Sequence, residues 1–272
     1  MLIGALVFAE ISCLCLAAFF VFRRKGNTHS ESASYAVITV FMLLSFIHQI
    51  FFITGYPIFS TGMEIFFLMA SAVLIFRHSS SFLTLPRMLK NLGPENAMAL
   101  FFLGVCLLYM AIHALLPVPG EFRDELYRIA FYEKKGFFPL GVAAEFPAFL
   151  PVNHLILFNT FLRFDADSGA GVFCFFAYLS IGFSTYALAR RYSWQTTAFT
   201  TVILVLSMPR LVIQALYPGT QIISVAVALF CLVALYRSVE MPAVTDLVLL
   251  IPGLFFCISD QWCPVRKLHE KI

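Results

Sequence analysis

The chain has 272 residues, of which 61% are hydrophobic and only 12% are charged, and its mean hydropathy is +0.89. A soluble domain carries about twice that share of charge, so these values exclude an ordinary soluble protein and indicate an integral membrane protein. The net charge of +3 is small and gives no reason to expect a nucleic-acid partner.

Apolar runs follow one another along the chain, several of them near the roughly 20 residues that a spanning helix needs. The first, near residues 2–22, lacks the basic start of a signal peptide and is interpreted as a membrane helix. Six more lie near 35–55, 58–77, 97–117, 169–189, 196–216 and 218–237, and a shorter eighth lies near 244–258. Because open sheet edges are not stable in lipid, we predict an all-α bundle of about seven or eight spans.

The basic residues of the short loops predict the orientation of these spans. Lys and Arg follow the first, third, fifth and seventh runs, whereas the turns near 55–58 and 217–220 contain neither. Because cytoplasmic loops are enriched in Lys and Arg, we expect the N-terminus and the long segment 118–168 to lie outside. The basic residues in question are Arg23, Arg24, Lys25, Arg77, Arg87, Lys90, Arg190, Arg191 and Arg237.

The long outer segment is predicted to contain two helices that lie along the membrane surface. The stretch FRDELYRIAFYEKKG has helical spacing. The stretch FPAFLPVNHLILFNTFLRF is apolar with two prolines at its start, and it is interpreted as an amphipathic or half-inserted helix on the outer face. We divide the chain into a three-helix segment 1–96, a membrane region 97–258 and a polar tail 259–272. The tail is expected to reflect a truncated or frameshifted end.

An acidic pair, Asp124 and Glu125, opens this outer segment just after the fourth span. Carboxylates at a membrane surface can act as a general base or as part of a divalent-cation site. On a helix, Asp124 shares a face with Tyr127 and Arg128. An exposed Asp124–Arg128 ion pair without catalytic function is therefore the alternative interpretation.

Basic and polar residues around the acidic pair are candidates for binding a phosphate group. Arginine binds phosphate through two hydrogen bonds, and lysine binds it as a point charge. The alternative for the basic residues of the outer segment is simple attraction to lipid headgroups. For His154 it is an interfacial histidine without a ligand, and for the turn YPGT it is an ordinary helix hairpin. The candidates are Arg123, Arg128, Lys134, Lys135 and His154 in the outer segment, and Arg210, Gln214 and Gln221 around the turn YPGT.

The seven cysteines lie mostly within apolar runs and show no CxxC spacing, so we predict neither a disulfide framework nor a metal site. No nucleotide-binding loop and no hydrolase or metalloprotease motif occurs in the sequence. Glu10 and Glu64 lie within apolar runs, and we expect each to face the bundle or to lie near an interface.

The ordered set RDELYRIAFYEKKGFFP, FPAFLPVNHLILFNTF, YALARRY and LSMPRLVIQALYPGTQ resembles the GT-C superfamily of membrane glycosyltransferases. The resemblance covers roughly residues 97–240, and it is strongest to the protein-mannosyltransferase and aminoarabinose-transferase-like branch. It implies an inverting transferase that takes a sugar from a polyprenyl-phosphate donor to a glycan, lipid or protein acceptor. It also implies a bacterial inner (plasma) membrane location.

The resemblance implies roles for particular residues. Asp124, with Glu125 as the alternate, would be the catalytic carboxylate. The other candidates would bind the donor. The resemblance implies no cofactor beyond a divalent cation, which the carboxylates could bind. Two further readings stay open: a multi-pass transporter or channel, and a non-catalytic membrane fragment. The donor-binding set is Arg123, Tyr127, Arg128, Lys134, Lys135, His154, Arg210, Gln214 and Gln221.

Overall fold

The computed structural model describes residues 2–54, 56, 59–78, 94–116, 156–162, 169–217, 220–240 and 248–254. Every regular element within these ranges is an α-helix, which confirms the predicted all-α class. In chain order the helices are α1 (Leu2–Arg24), α2 (His29–Thr54), α3 (Phe59–Arg77), α4 (Pro94–Ala114), α5 (Asn159–Leu162), α6 (Gly171–Tyr192), α7 (Gln195–Leu206), α8 (Pro209–Leu216) and α9 (Thr220–Glu240).

The number of spans that the described residues support is smaller than predicted. Five helices, α1, α2, α3, α6 and α9, are long and apolar enough to cross a membrane, and a sixth span results if α7 and α8 together form one. The apolar part of α4, Leu100–Ala114, is shorter than a full span. Seven or eight spans are therefore not confirmed, whereas a membrane-embedded helical protein is.

Helix α6 lies at the centre of the bundle and packs against α2, α7 and α9. It is buried along most of its length because aromatic and small side chains alternate on its surface. The ring of Phe173 meets those of Phe41, Phe158 and Phe161 at centroid distances of 5.5, 6.2 and 5.7 Å. Side chains from α2, α5 and α6 therefore share one core.

The two ends of the bundle differ in charge. Helices α1, α3, α6 and α9 end, and α2 begins, at an end that carries Arg24, Arg77, Arg191 and Arg237. We call it the basic end. At the opposite end α4 terminates beside the start of α6, and α8 is joined to α9, so we call this the hairpin end.

Four charged side chains tie three helices together at the basic end. Glu31 of α2 accepts hydrogen bonds from Arg191 of α6 at 2.7 Å and from Arg237 of α9 at 2.9 Å. Arg191 also contacts Glu240 at 2.8 Å. The Glu31 carboxylate additionally accepts the backbone N–H of Thr28, whose hydroxyl accepts the N–H of Glu31. This reciprocal capping box explains why α2 begins where it does.

Residues 156–162, the described part of the predicted second surface helix, are buried inside the bundle. Ile156, Leu157, Phe158 and Phe161 have no exposed surface. This part of the segment therefore packs between α2 and α6, so a helix lying wholly on the surface is not what these residues form, whereas the half-inserted alternative is compatible with their burial. The rest of the outer segment, and the predicted boundary near residue 96, fall outside the described residues.

Two glycines allow close approach of the chain at the hairpin end. A Cβ atom on Gly171 would lie 3.1 Å from the Cα atom of Ala114 and 3.2 Å from its carbonyl oxygen. Gly169 has a φ of +100°, and a Cβ atom there would lie 2.9 Å from the Cα atom of Gly4. Glycine is therefore required where α6 meets α1 and α4.

Candidate functional site

A break within the predicted sixth span is the most unusual feature of the helical bundle. The apolar run 196–216 forms two helices, α7 and α8, bent by 63° with respect to each other. Pro209 is the first residue of α8, and Met208 before it is extended, with a ψ of 121°. Proline lacks an N–H and disfavours helical geometry in the preceding residue, so the helix ends before it.

The backbone groups that the break releases find partners. The hydroxyl of Tyr178 on α6 donates to the carbonyl oxygen of Leu206 at 2.6 Å. The N–H of Ser207 donates to the Ile203 oxygen at 2.8 Å, and the N–H of Met208 to the Val205 oxygen at 3.2 Å. Polar backbone within a membrane is stable only when it is satisfied in this way.

The break lies about half-way along the bundle. Helix α7 starts at the basic end and has 12 residues, which gives a length of about 18 Å at 1.5 Å per residue. A Cβ atom on Gly182, in the middle of α6, would lie 3.1 Å from a methyl group of Leu206. The unwound residues 207–208 are therefore close to mid-bundle.

Arg210 is the second residue of α8 and is exposed. Within the described part of the chain its guanidinium group has neither a hydrogen-bond nor an ion-pair partner. The N-terminus of a helix carries partial positive charge, so an arginine in the first turn is electrostatically unfavourable unless an anion is present. The N–H groups of Leu211 and Val212 in this turn already donate to the Met208 carbonyl oxygen, at 3.0 and 3.1 Å. The feature that suits an anion is therefore the exposed guanidinium group of Arg210.

The adjoining ends of α8 and α9 carry polar side chains at the hairpin end. The Gln214 amide donates to the Gln221 side-chain oxygen at 2.6 Å, which ties α8 to α9. The ring of Tyr217 packs edge-on against His113 of α4, with centroids 5.8 Å apart. The structure therefore brings two of the predicted binding residues, Gln214 and Gln221, into contact. A third, Arg210, lies earlier on α8.

A second polar cluster lies buried between α2, α3 and α5. The Nε2 atom of His48 lies 2.8 Å from Glu64, and the two side chains are 0% and 1% exposed. The Nε2 atom is also 3.3 Å from the Thr160 hydroxyl, and Asn159 Nδ2 is 3.3 Å from His48 Nδ1. Glu64 thus faces the bundle, as expected from its position in an apolar run.

Glu10 has a different environment from Glu64. It lines an open groove of about 460 Å³ between α1 and α3 together with apolar side chains. It is half-buried in this groove. The apolar lining residues are Ile3, Leu6, Val7, Ala9 and Leu68.

The other predicted site residues lie outside the described residues: Arg123, Asp124, Glu125, Tyr127, Arg128, Lys134, Lys135 and His154. Their proposed roles stay predictions. Among the residues that the structure does describe, no group of three or more His, Cys, Asp or Glu side chains could hold a metal ion.

Sequence reasoning missed Asn159, Thr160 and Tyr178. Asn159 and Thr160 sit in an apolar run more than 110 positions from His48, so only tertiary packing reveals their role. The signal that could have located the break, Met208-Pro209 in the middle of an apolar run, was present in the sequence.

No protein-family model, no curated protein and no solved structure matches the chain significantly.

Proposed function

We propose that the protein is a membrane glycosyltransferase that takes a sugar from a polyprenyl-phosphate donor in the half of the bundle that extends from the helix break to the hairpin end. The observation that carries the proposal is Arg210 at the helix break, an exposed arginine whose guanidinium group has no partner among the residues that the structure describes. An arginine at membrane depth costs about 2.5–3.5 kcal/mol even on insertion scales. A phosphate on a lipid chain would offset this cost by pairing with the guanidinium group.

The chain connectivity supports a role for the acidic segment at the same end. The described chain stops at Leu116, just beyond Ala114, and resumes at Ile156, next to the buried residues of α5. Both points belong to the hairpin end, where Ala114 abuts Gly171 and Asn159 contacts His48. The helix that precedes the segment carrying Asp124 ends beside Tyr217, since the His113 and Tyr217 rings are 5.8 Å apart.

The proposed reaction is a displacement at the anomeric carbon of the donor sugar. The acceptor oxygen or nitrogen forms a bond to this carbon while the bond from the carbon to the phosphate oxygen breaks, so the configuration inverts. The lipid phosphate leaves with the electron pair. Asp124, or Glu125 as the alternate, accepts the acceptor's proton, and Arg210 stabilises the negative charge of the leaving phosphate.

The hairpin end is proposed to be the outer face of the membrane. Arg23, Arg24, Arg190, Arg191 and Arg237 all belong to the opposite, basic end. Cytoplasmic loops are enriched in basic residues, which supports a cytoplasmic basic end. A bacterial inner membrane is part of the same proposal.

Binding of a lipid phosphate tests the assignment of Arg210. Purified protein in nanodiscs is titrated with a polyprenyl phosphate and, separately, with the corresponding polyprenol, which lacks the phosphate. We expect tighter binding of the phosphate and about a tenfold or greater loss in Arg210→Ala, because a hydrogen bond to a charged group contributes about 1.5–3 kcal/mol. Arg210→Lys should retain part of the affinity, since it keeps the charge.

Arg190 provides the matched control, because it is an exposed arginine at the basic end that donates to the Ser193 carbonyl oxygen at 3.0 Å. Arg190→Ala should bind the phosphate like the wild type. Equal affinity for the polyprenyl phosphate and the polyprenol would contradict phosphate binding by Arg210. An Arg210→Ala variant that binds the polyprenyl phosphate like the wild type would contradict it as well.

A transporter is the second candidate, favoured by the α7–α8 break. Secondary transporters place discontinuous helices and ionisable groups near the bilayer midplane. The 63° bend near mid-bundle matches the first of these features. Solute flux in proteoliposomes that is lost in Glu64→Gln or Glu10→Gln would support transport, whereas flux unchanged in both variants would contradict it.

A further inference from the structure

The neighbouring ends of α1 and α3 form an exposed patch of cations at the basic end. Its members, which we call the α1–α3 patch, are Arg23, Arg24, Lys25 and Arg77. The two helices pack against each other, and the ring of Phe20 on α1 stacks on the ring of His78, with centroids 5.9 Å apart. Phe20 shares a helix face with Arg24. Because His78 directly follows Arg77, this stack places the cations of α1 beside that of α3.

Contacts within the chain hold the turn after α1 that carries part of the patch. The N–H of Gly26 donates to the Arg23 carbonyl oxygen at 3.3 Å. The buried Asn27 side chain donates to the Phe22 carbonyl oxygen at 3.0 Å. The guanidinium group of Arg23 donates to the carbonyl oxygen of Asn27. Lys25 is therefore carried on a turn that the protein itself fixes.

The patch has no acidic residue along its own chain to neutralise it. The stretches 22–30 and 77–93 contain neither Asp nor Glu. Among the residues that the structure describes, Arg24, Lys25 and Arg77 have no ion-pair partner. Glu31, the next acidic residue after the turn, is already held by two arginines of α6 and α9. A helix C-terminus carries about half a negative charge, so the two helix ends offset only about one of the cations.

Exposed apolar side chains adjoin the patch on both helices. Phe76, which directly precedes Arg77, is 85% exposed, and Val21, three residues before Arg24, is 40% exposed. Cations at the end of an apolar helix surface match the two parts of a phospholipid. The phosphate would lie at the level of the cations, and the acyl chains would lie against the helices.

We propose that the α1–α3 patch binds the headgroup of an anionic phospholipid in the membrane leaflet at the basic end. Arginine forms paired hydrogen bonds with phosphate oxygens, and lysine adds a compact charge. A headgroup with net negative charge also balances the excess positive charge of the patch, which a zwitterionic headgroup does not. This site lies at the opposite end of the bundle from the hairpin and is separate from the proposed donor site.

Other arginines of the basic end differ from the patch because their side chains already have protein partners. Arg191 and Arg237 contact the Glu31 carboxylate. Arg190 is exposed, and it donates to the Ser193 carbonyl oxygen at 3.0 Å. The lipid should therefore bind at one edge of the basic end and not around its whole circumference. Arg190 is the matched control, since it lies in the last turn of a helix at the same end.

Native mass spectrometry of the full-length protein in detergent micelles tests the proposal. Phosphatidylglycerol, which is anionic, and phosphatidylcholine, which is zwitterionic, are added separately with the same acyl chains. We expect the wild type to bind phosphatidylglycerol more tightly. Arg24→Ala and Arg77→Ala should each weaken that binding about fivefold, the factor given by about 1 kcal/mol per cation at a membrane surface. Arg190→Ala should weaken it less than about twofold, and phosphatidylcholine binding should stay the same in all variants.

Several results would overturn the proposal. Equal dissociation constants of the two lipids in the wild type would do so, and equal losses in Arg77→Ala and Arg190→Ala would reveal diffuse attraction to the whole basic end. Displacement of phosphatidylglycerol by soluble glycerol phosphate at the same concentration would show that the cations bind a free phosphate. A loss seen only in Arg210→Ala would place the lipid at the proposed donor site. No arm uses a polyprenyl phosphate, so failure of sugar transfer leaves the outcome intact.

Discussion

The hydroxyl of Tyr178 donates a hydrogen bond to the carbonyl oxygen of Leu206, 2.6 Å away and at the point where α7 ends. Pro209 cannot donate to the preceding turn, so the helix breaks, and Tyr178 from the central helix satisfies a carbonyl that the break releases. One side chain of α6 thereby fixes the position of the bend that presents Arg210.

Removal of this hydroxyl should loosen the bend. Tyr178→Phe leaves the Leu206 carbonyl without its partner, and we expect the free energy of unfolding to fall by about 1–3 kcal/mol. Spin labels on α7 and α8 should report a broader distribution of distances. Tyr186→Phe, on the same helix and without a recorded hydrogen bond among the described residues, is the control. Equal behaviour of the two variants would contradict a role for Tyr178.

Loss of Glu31 should weaken the basic end. Glu31→Gln removes the carboxylate that holds Arg191 and Arg237, and removal of one partner from a buried charge network typically costs about 3–5 kcal/mol. The Glu31 side chain is 6% exposed, whereas Glu240 in the same network is 54% exposed. Glu240→Gln should therefore cost less than about 1 kcal/mol.

The measurement for this pair of variants is reversible unfolding in detergent or bicelles. If Glu31→Gln and Glu240→Gln lost equal free energy of unfolding, the expectation that the more buried carboxylate contributes more to stability would be contradicted. The comparison is well matched, because both variants remove one carboxylate that contacts Arg191.

Alanine substitutions of two glycines should differ in their cost to stability, because one glycine lies against a backbone and the other against a side chain. In Gly171→Ala the new methyl group meets first the backbone of Ala114, whereas in Gly182→Ala its nearest neighbours all belong to the side chain of Leu206. We expect Gly171→Ala to cost about 1–3 kcal/mol, the usual range for overpacking, and Gly182→Ala to cost less. Gly104, which has open space around its Cα atom, is the control. Thermal unfolding of the three variants gives the ranking, and a reversed order would be inconsistent with the α4–α6 contact.

The gross features of the fold could be predicted from the sequence, because apolar runs and charge density directly reflect a membrane environment. The run 196–216 was interpreted as one span, since hydropathy alone does not report the bend at Pro209. The predicted seven or eight spans are not confirmed, because run length does not determine how much of a run becomes an unbroken helix. Residues 156–162 are apolar, and composition could not distinguish insertion into a core from attachment to a surface.

The candidate sites were predictable to different degrees. Arg210, Gln214 and Gln221 are neighbours in sequence around one turn, so their proximity could be inferred. The contact between Glu64 and His48 could not be inferred, because the two residues belong to different helices. Asn159, which contacts His48, belongs to a third element.

Sugar transfer by the purified protein tests the central claim most directly. The assay follows release of polyprenyl phosphate from a polyprenyl-phosphate-sugar donor, with Asp124→Asn compared with wild type. We expect a loss of at least about 100-fold, the lower range of general-base contributions. Glu133→Gln, which removes another carboxylate of the same segment, should retain activity. An active wild type matched by Asp124→Asn, or a wild type that releases no polyprenyl phosphate from any such donor, would contradict the account.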